Sequence, residues 1–404
     1  MTSAPNTRPD RGYNLLVIAW SLFAVWVFVR YGIRLGLLLY AELGLNMDTN
    51  IVDRDFANYW VGGKLVLNGG YALLFDPAAY YVYLQALFGV DYQIHAWSYP
   101  PHFLPLVAPL GLMEYRPALT VFLLVTLALF VWAAWEFMRR YATTVSRPLV
   151  VLAIAGFVFM QIEATQNGFL TGALLLATFA FMRERPAVAG FALALLTIKP
   201  QLGFLIPLLA LLDRNWKLFG WATGFTLLLV GASVALFGVD VWRLYFSQII
   251  PYQNFVMTDW SGIFLRMMPS AFGSMRTLGY TPATAFAVQA VISVIAFAVL
   301  LRLLFMLRDP LERAFAILAG TLLITPYAFN YDMGAVSVVA ACLALRARDE
   351  HRHAAMWIYG ALAVLPAAIT PLGLKLLPLS PLVLAAAFGA LWAGARRPAV
   401  TSTS

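Results

Sequence analysis

The segment Asp53-Arg54-Asp55-Phe56-Ala57-Asn58-Tyr59-Trp60 gathers the sharpest chemistry in this 404-residue sequence. Its two carboxylates stand two residues apart and point to different sides, so Asp53 and Asp55 do not form a paired-carboxylate site. Asp55 precedes a helix-like run (Phe56, Tyr59, Trp60, Gly63, Leu67). It reads either as an N-cap or as a base able to take a proton from a hydroxyl. Further along come Gln161, Glu163, Gln166 and Asn167, then Lys199 and Gln201 in Ile-Lys-Pro-Gln, then Tyr327, Asn330, Tyr331 and Asp332. Lys199 is either a snorkelling lysine or a phosphate-binding one. His102, in Trp97-Ser98-Tyr99-Pro100-Pro101-His102-Phe103, is either a ligand contact or a satisfied interfacial histidine. Arg30 and Arg34 share a helix face, where they snorkel or meet anionic headgroups. The four histidines and single cysteine, Cys342, show no metal-binding spacing, and no P-loop or GxGxxG after a strand marks a nucleotide site.

The elements that hold these residues must be membrane helices. With 62% hydrophobic and 11% charged residues, the composition excludes an ordinary soluble domain. The first apolar run, Asn14 to Val29, is continued by Arg30 and Arg34 with no cleavage site, so it reads as an uncleaved span. Others lie near 117–138, 148–163, 168–182, 186–198, 201–212, 217–238, 283–306, 311–325, 333–346, 354–369 and 379–395, about twelve in all. A thirteenth candidate, 103–113, carries Pro105 and Pro109 and is too short to cross, so it reads as re-entrant. The whole of 1–404 forms one all-α polytopic membrane domain with two long amphipathic outer loops, 41–102 and 239–282.

Charge supports that count. With both termini inside, seventeen basic and eight acidic residues fall inside, against ten basic and eleven acidic outside. The net charge of +8 therefore reflects topology and gives no reason to expect nucleic acid. The same topology puts the acid, amide and lysine set on the outer face, where it could converge on one cavity.

The segments Asp55-Phe56-Ala57-Asn58-Tyr59-Trp60, Leu74-Phe75-Asp76-Pro77, Tyr99-Pro100-Pro101, Ala108-Pro109-Leu110, Gln166-Asn167-Gly168 and Lys199-Pro200-Gln201 occur in this order. In them the chain resembles glycosyltransferase family 87, over roughly Asp55 to Asp332. The resemblance implies a GT-C bundle of about a dozen helices, similar to polyprenyl-phosphate-mannose-dependent mannosyltransferases. It implies Asp55 as general base, since the family's catalytic aspartate stands just ahead of the aromatic pair. Family members from actinobacteria tend to carry a histidine where this chain reads Asn330-Tyr331-Asp332, a departure that bears on sugar and acceptor.

The implied reaction is inverting transfer of a hexose, mannose in the first instance, from a polyprenyl-phosphate sugar to a lipid-anchored acceptor. It would occur on the outer (periplasmic) face of a bacterial-type inner membrane. Lys199, with Arg30 or Arg34, would meet the phosphate. Tyr59, Gln166, Asn167, His102, Tyr331 and Asp332 would contact substrate, and Trp60 or Trp97 would stack on the ring. Donor, acceptor and membrane lipids are the expected partners, with no cofactor or metal. Two other classes fit a dozen spans: a secondary transporter with a midplane site, and a lipid-carrier polymerase or ligase.

Overall fold

Apolar runs become helices here because proline and small polar residues punctuate them. A computed structural model describes residues 11–32, 55–90, 92, 96–375 and 378–396, and all regular structure among these residues is helical. Asp76, Asn215, Thr281 and Asp309 each accept a hydrogen bond from the backbone N–H three residues on, capping the helix that follows. Pro77, Pro148, Pro186, Pro282 and Pro310 stand in first turns, where a missing N–H costs nothing.

In chain order, α1 is Arg11–Val27, prolonged by a π-turn at Phe28–Gly32. The first long loop supplies α2 (Phe56–Leu67), α3 (Pro77–Phe88) and a short apolar helical stretch, α4 (Pro101–Leu112). Then follow α5 (Tyr115–Tyr141), α6 (Arg147–Ala164), α7 (Gly168–Phe181) and α8 (Pro186–Leu195). Two short helices, α9 (Pro200–Gly203) and α10 (Ile206–Leu212), lead into α11 (Trp216–Phe237). The second long loop contains α12 (Asp240–Leu244), a π-turn at Tyr245–Ile249, α13 (Ile250–Asp259), α14 (Ile263–Arg266) and α15 (Ala271–Thr277). The chain ends with α16 (Pro282–Met306), α17 (Pro310–Ile324), α18 (Gly334–Asp349), α19 (His353–Lys375) and α20 (Ser380–Ala395).

Six stretches among the described residues are long and apolar enough to cross a membrane: Gly12–Gly32, Tyr115–Tyr141, Arg147–Ala164, Trp216–Phe237, Pro282–Met306 and His353–Pro371. Five more apolar helices are shorter, including α4, α7 and α20. The expected dozen spans thus divide into long helices and short ones, and six of the described helices have the length and apolarity to cross. Pro200 separates two of the expected runs, while α7, α17 and α18 are buried almost all round. A helix enclosed by others needs less length than one bathed in lipid. The outer helices do the reverse, and Leu227, Leu228, Val291 and Val294 project outward. The chain is an all-α membrane protein.

The connections sort to two ends. At one, Arg140 bridges to Glu184, Arg313 to Asp213, and Arg346 to both Asp309 (2.9 Å) and Glu312 (2.6 Å). The guanidinium of Arg348 lies 3.8 Å from the centroid of the Tyr13 ring, tying the N-terminal helix to this basic end. The alternate connections meet at the other end, under the two long loops. There α2 to α4 build a second aromatic core with Phe122, Val241, Tyr245 and Ile249. Gly63 and Gly111 let α2 and α4 touch backbone to backbone, since a Cβ on Gly63 would lie 2.5 Å from the Val107 carbonyl oxygen.

Candidate active site

Four interruptions of helices meet beneath the long loops, and each has a local cause. Helix α2 starts at Phe56, which leaves Asp55 at its mouth. The Asp55 side chain makes no capping hydrogen bond, so the N-cap alternative loses its defining contact. Helix α6 ends because Thr165 turns left-handed at φ 51°, exposing the Gln166-Asn167 pair before α7 begins. Pro200 drives Lys199 out of helical geometry, to φ −132° and ψ 74°, and breaks the run between α8 and α9. Pro326 does the same to Thr325 at the end of α17. Irregular backbone at membrane depth survives only where protein or a water-filled cavity satisfies it.

These breaks enclose a cavity of about 360 Å³. Asp55, Tyr59, Gln166, Lys199, Gln201, Tyr327 and Tyr331 line it, so the structure brings together seven of the residues singled out in the sequence. Asn58 and Tyr99 complete the same walls, and the second loop adds Tyr252, Gln253 and Trp260. The two loops are joined across the site by Gln253, whose Nε2 donates to the Ser98 carbonyl at 2.9 Å.

Behind the wall lies a buried polar network. The Lys199 ammonium sits 2.7 Å from Asp332 Oδ1 and 4.7 Å from the centroid of the Tyr331 ring. Asp332 has a fully buried side chain, and its Oδ2 accepts from the Phe329 N–H. Asp332 therefore aims Lys199 from behind rather than lining the cavity. The Tyr59 hydroxyl pairs with the Tyr99 hydroxyl and donates to Gln166 Oε1, each at 2.8 Å. Asn167 likewise sits behind the wall, its Nδ2 reaching the Tyr99 oxygen at 3.2 Å. Burial, more than any neighbouring charge, holds the Tyr59, Tyr99, Tyr327 and Tyr331 phenols protonated. They act as neutral hydrogen-bonding groups.

Other expected residues stand apart from the cavity. Trp60 donates Nε1 to the Met113 carbonyl and packs on Tyr115. Trp97 is fully buried against Tyr99 and Phe103, and a Cβ on Gly62 would meet its ring at 2.7 Å. Neither indole lines the cavity; both pack behind its wall. His102 stacks on Trp242 and its Nε2 lies 3.0 Å from Thr197 Oγ1. Arg30 is exposed on the π-turn, 5.6 Å from the Tyr31 ring centroid, and does not line the cavity; Arg34 falls outside the described residues. Asn58 and Tyr99 stood in the quoted motifs without an assigned role, and the second-loop aromatics were not singled out because aromatic side chains are frequent throughout this chain. The repeated proximity of tyrosine to proline, in Tyr99-Pro100 and Pro326-Tyr327, was the available signal.

Two predictions follow from local geometry. A Cβ on Gly168 would fall 2.0 Å from the Tyr331 carbonyl oxygen, so α7 approaches the late loop only because residue 168 has no side chain. Gly168→Ala is expected to lower stability by about 1–3 kcal/mol through overpacking. Thermal unfolding in detergent will measure it. Burial lowers the His102 pKa to about 4, so the folded state keeps this imidazole neutral. Between pH 6.5 and about 4 the unfolded chain binds a proton that the folded chain refuses, so this contribution to stability falls as pH drops through that window. His102→Gln should flatten that part of the melting-temperature profile.

The comparisons with known proteins agree with this picture. The alpha-(1->3)-arabinofuranosyltransferases of Mycobacterium tuberculosis strains CDC 1551 / Oshkosh and ATCC 25618 / H37Rv are each 28% identical to the chain over 177 residues. Each match covers 40% of this chain and 39% of the relative's length. No solved structure matches. The family model for glycosyltransferase family 87 matches residues 97–326, more than half of the sequence, beginning after the Asp55 segment and taking in Tyr99, Gln166, Lys199 and Tyr252. The chain belongs to glycosyltransferase family 87.

Proposed function

We propose that this protein transfers a hexose, mannose in the first instance, from a polyprenyl-phosphate sugar to a hydroxyl of a lipid-anchored acceptor, with inversion. The observation that carries the reading is one cavity lined by both the Asp55 carboxylate and the Lys199 ammonium. The acceptor oxygen attacks the anomeric carbon as the bond from that carbon to the phosphate oxygen breaks. Asp55 takes the acceptor proton, and the phosphate leaves as a stable anion that needs no general acid. Lys199, aimed by Asp332, meets the charge developing on the phosphate. Tyr59, Gln166 and Tyr331 offer hydrogen bonds to the sugar.

The gathering of the basic connections at the opposite end supports a site on the outer face, with both termini cytoplasmic. The arabinofuranosyltransferase relatives favour a second reading in which the transferred sugar is a pentofuranose. Membranes containing the protein should be incubated in parallel with labelled polyprenyl-phosphate mannose and polyprenyl-phosphate arabinose. Label appearing in a glycolipid from the first supports the hexose reading, and from the second alone the pentofuranose. Label entering lipid from neither overturns both.

A further inference from the structure

Gln166 lines the polar cavity yet is only 6% exposed, and its Nε2 meets no hydrogen-bond partner among the described residues. The two ends of an amide have the same shape, and only their partners tell oxygen from nitrogen. Here a backbone group decides. The Asn167 N–H is a donor whatever the side chains do, and it points at Gln166 Oε1 at 3.4 Å. An amide nitrogen at that end would set donor against donor. With the oxygen there, the Tyr59 hydroxyl, 2.8 Å away, must give it its only proton. The 2.8 Å contact between Tyr59 and Tyr99 then takes the Tyr99 proton, and the Tyr99 oxygen is left to accept from Asn167 Nδ2 at 3.2 Å. The chain from Asn167 through Tyr99 and Tyr59 therefore donates in one direction and ends on Gln166 Oε1. The end left for the cavity is Nε2, and a buried donor without a partner is costly.

We propose that Tyr59 and Tyr99 are positioning residues that fix Gln166 as a donor-only contact, and that its Nε2–H donates to an oxygen of a substrate sugar. The inference rests on the glycosyl transfer proposed above and assigns the polarity of one contact in it. Asp55 has helical backbone angles, φ −57° and ψ −25°, so it and Tyr59, four residues on, share a face of α2. The Gln166 amide, tied to Tyr59, stands on that side of the cavity. The oxygen in its reach belongs to the sugar beside the base, whereas the phosphate is the partner of the Lys199 ammonium. Polarity matters there. A hydroxyl that accepts from Gln166 keeps its own proton free to give elsewhere. A reversed amide would draw that proton to itself, in competition with Asp55. Tyr59, its proton committed to Gln166, keeps only a lone pair for a ligand, so most of its effect on binding passes through the amide.

Gln166→Glu separates the two polarities, because a carboxylate accepts at both ends. Its inner oxygen still accepts from Tyr59 and Asn167, while its outer one repels a sugar lone pair. At about pH 7.5, kcat/KM for the polyprenyl-phosphate sugar should fall about a hundredfold in the full chain in lipid vesicles. Burial raises a carboxyl pKa, so at about pH 5.5 the variant again turns a proton toward the ligand, and its deficit should shrink to about tenfold. Asp55, Lys199, Asp332 and the four tyrosines share the site in both proteins, so the ratio of variant to parent at each pH removes their titration. Tyr59→Phe keeps the ring and removes the proton given to Oε1. It should raise KM about tenfold with kcat nearly kept, but only about twofold in a Gln166→Met background. An unchanged kcat/KM in Gln166→Glu, a deficit that persists at the lower pH, or additive losses for Tyr59→Phe and Gln166→Met would overturn the polarity while parent activity stands. If Gln166→Glu weakens inhibition by sugar-free polyprenyl phosphate as much as it weakens use of the donor, the oxygen is the phosphate's and the sugar assignment is wrong. A parent that transfers sugar from no polyprenyl-phosphate donor instead loses the functional reading, and this contact with it.

Discussion

Asp55→Asn is expected to slow glycosyl transfer by about 10³-fold, within the range that a positioned general base contributes. The substitution keeps shape and removes basicity. An amide of the same size keeps the packing at the mouth of α2, so any loss of activity in a variant that melts like the parent is chemical. Steady-state assay of the purified variant, beside its melting curve, separates the two effects. A variant that melts like the parent and still turns over at near-parent rates removes Asp55 from the mechanism. One that melts much lower assigns it a structural role.

The Lys199–Asp332 pair gives the second large effect, because here stability and activity should come apart. Lys199→Met leaves a fully buried carboxylate without its cation, which costs about 3–5 kcal/mol of stability. It also removes the phosphate partner, worth about 10²–10³ in rate. Adding Asp332→Asn to Lys199→Met takes away the unpaired charge, and an amide oxygen can still accept from the Phe329 N–H. The double variant should recover most of the lost stability and none of the lost rate. If rate returns with stability, Lys199 is only a structural ion-pair partner. Asp332→Asn alone should weaken activity through Lys199, with a larger effect on KM than a purely packing change would give.

Much of this site could be read from residue order, and the part that could not has a common cause. Asp55, Gln166 and Lys199 stood out because a charged or amide side chain bordering an apolar run is expensive and so carries information. Lys199-Pro200 fell between two apolar runs, and the helix does break there. Asp332 was legible as a site residue but not in its role. Its place behind Lys199 depends on a contact between residues 133 positions apart. His102, Trp60 and Trp97 look like ligand contacts in a linear motif. They are wall-builders because α4 folds beneath α2, a packing that rests on Gly63 meeting Gly111. Tyr252 gave no signal against an aromatic-rich background, and Tyr99 stood in a quoted motif without a role assigned to it.

Sequence alone determined the solvent, the helical class, the sorting of charge between two sets of connections and the family, since each follows from composition, periodicity or local motif. Tertiary structure decided which polar residues share a cavity and which stand behind it. It also separated helices long enough to cross from those enclosed by others. Those outcomes turn on long-range distances of a few ångströms. Local patterning limits such distances, and only the packing of buried helices against one another sets them.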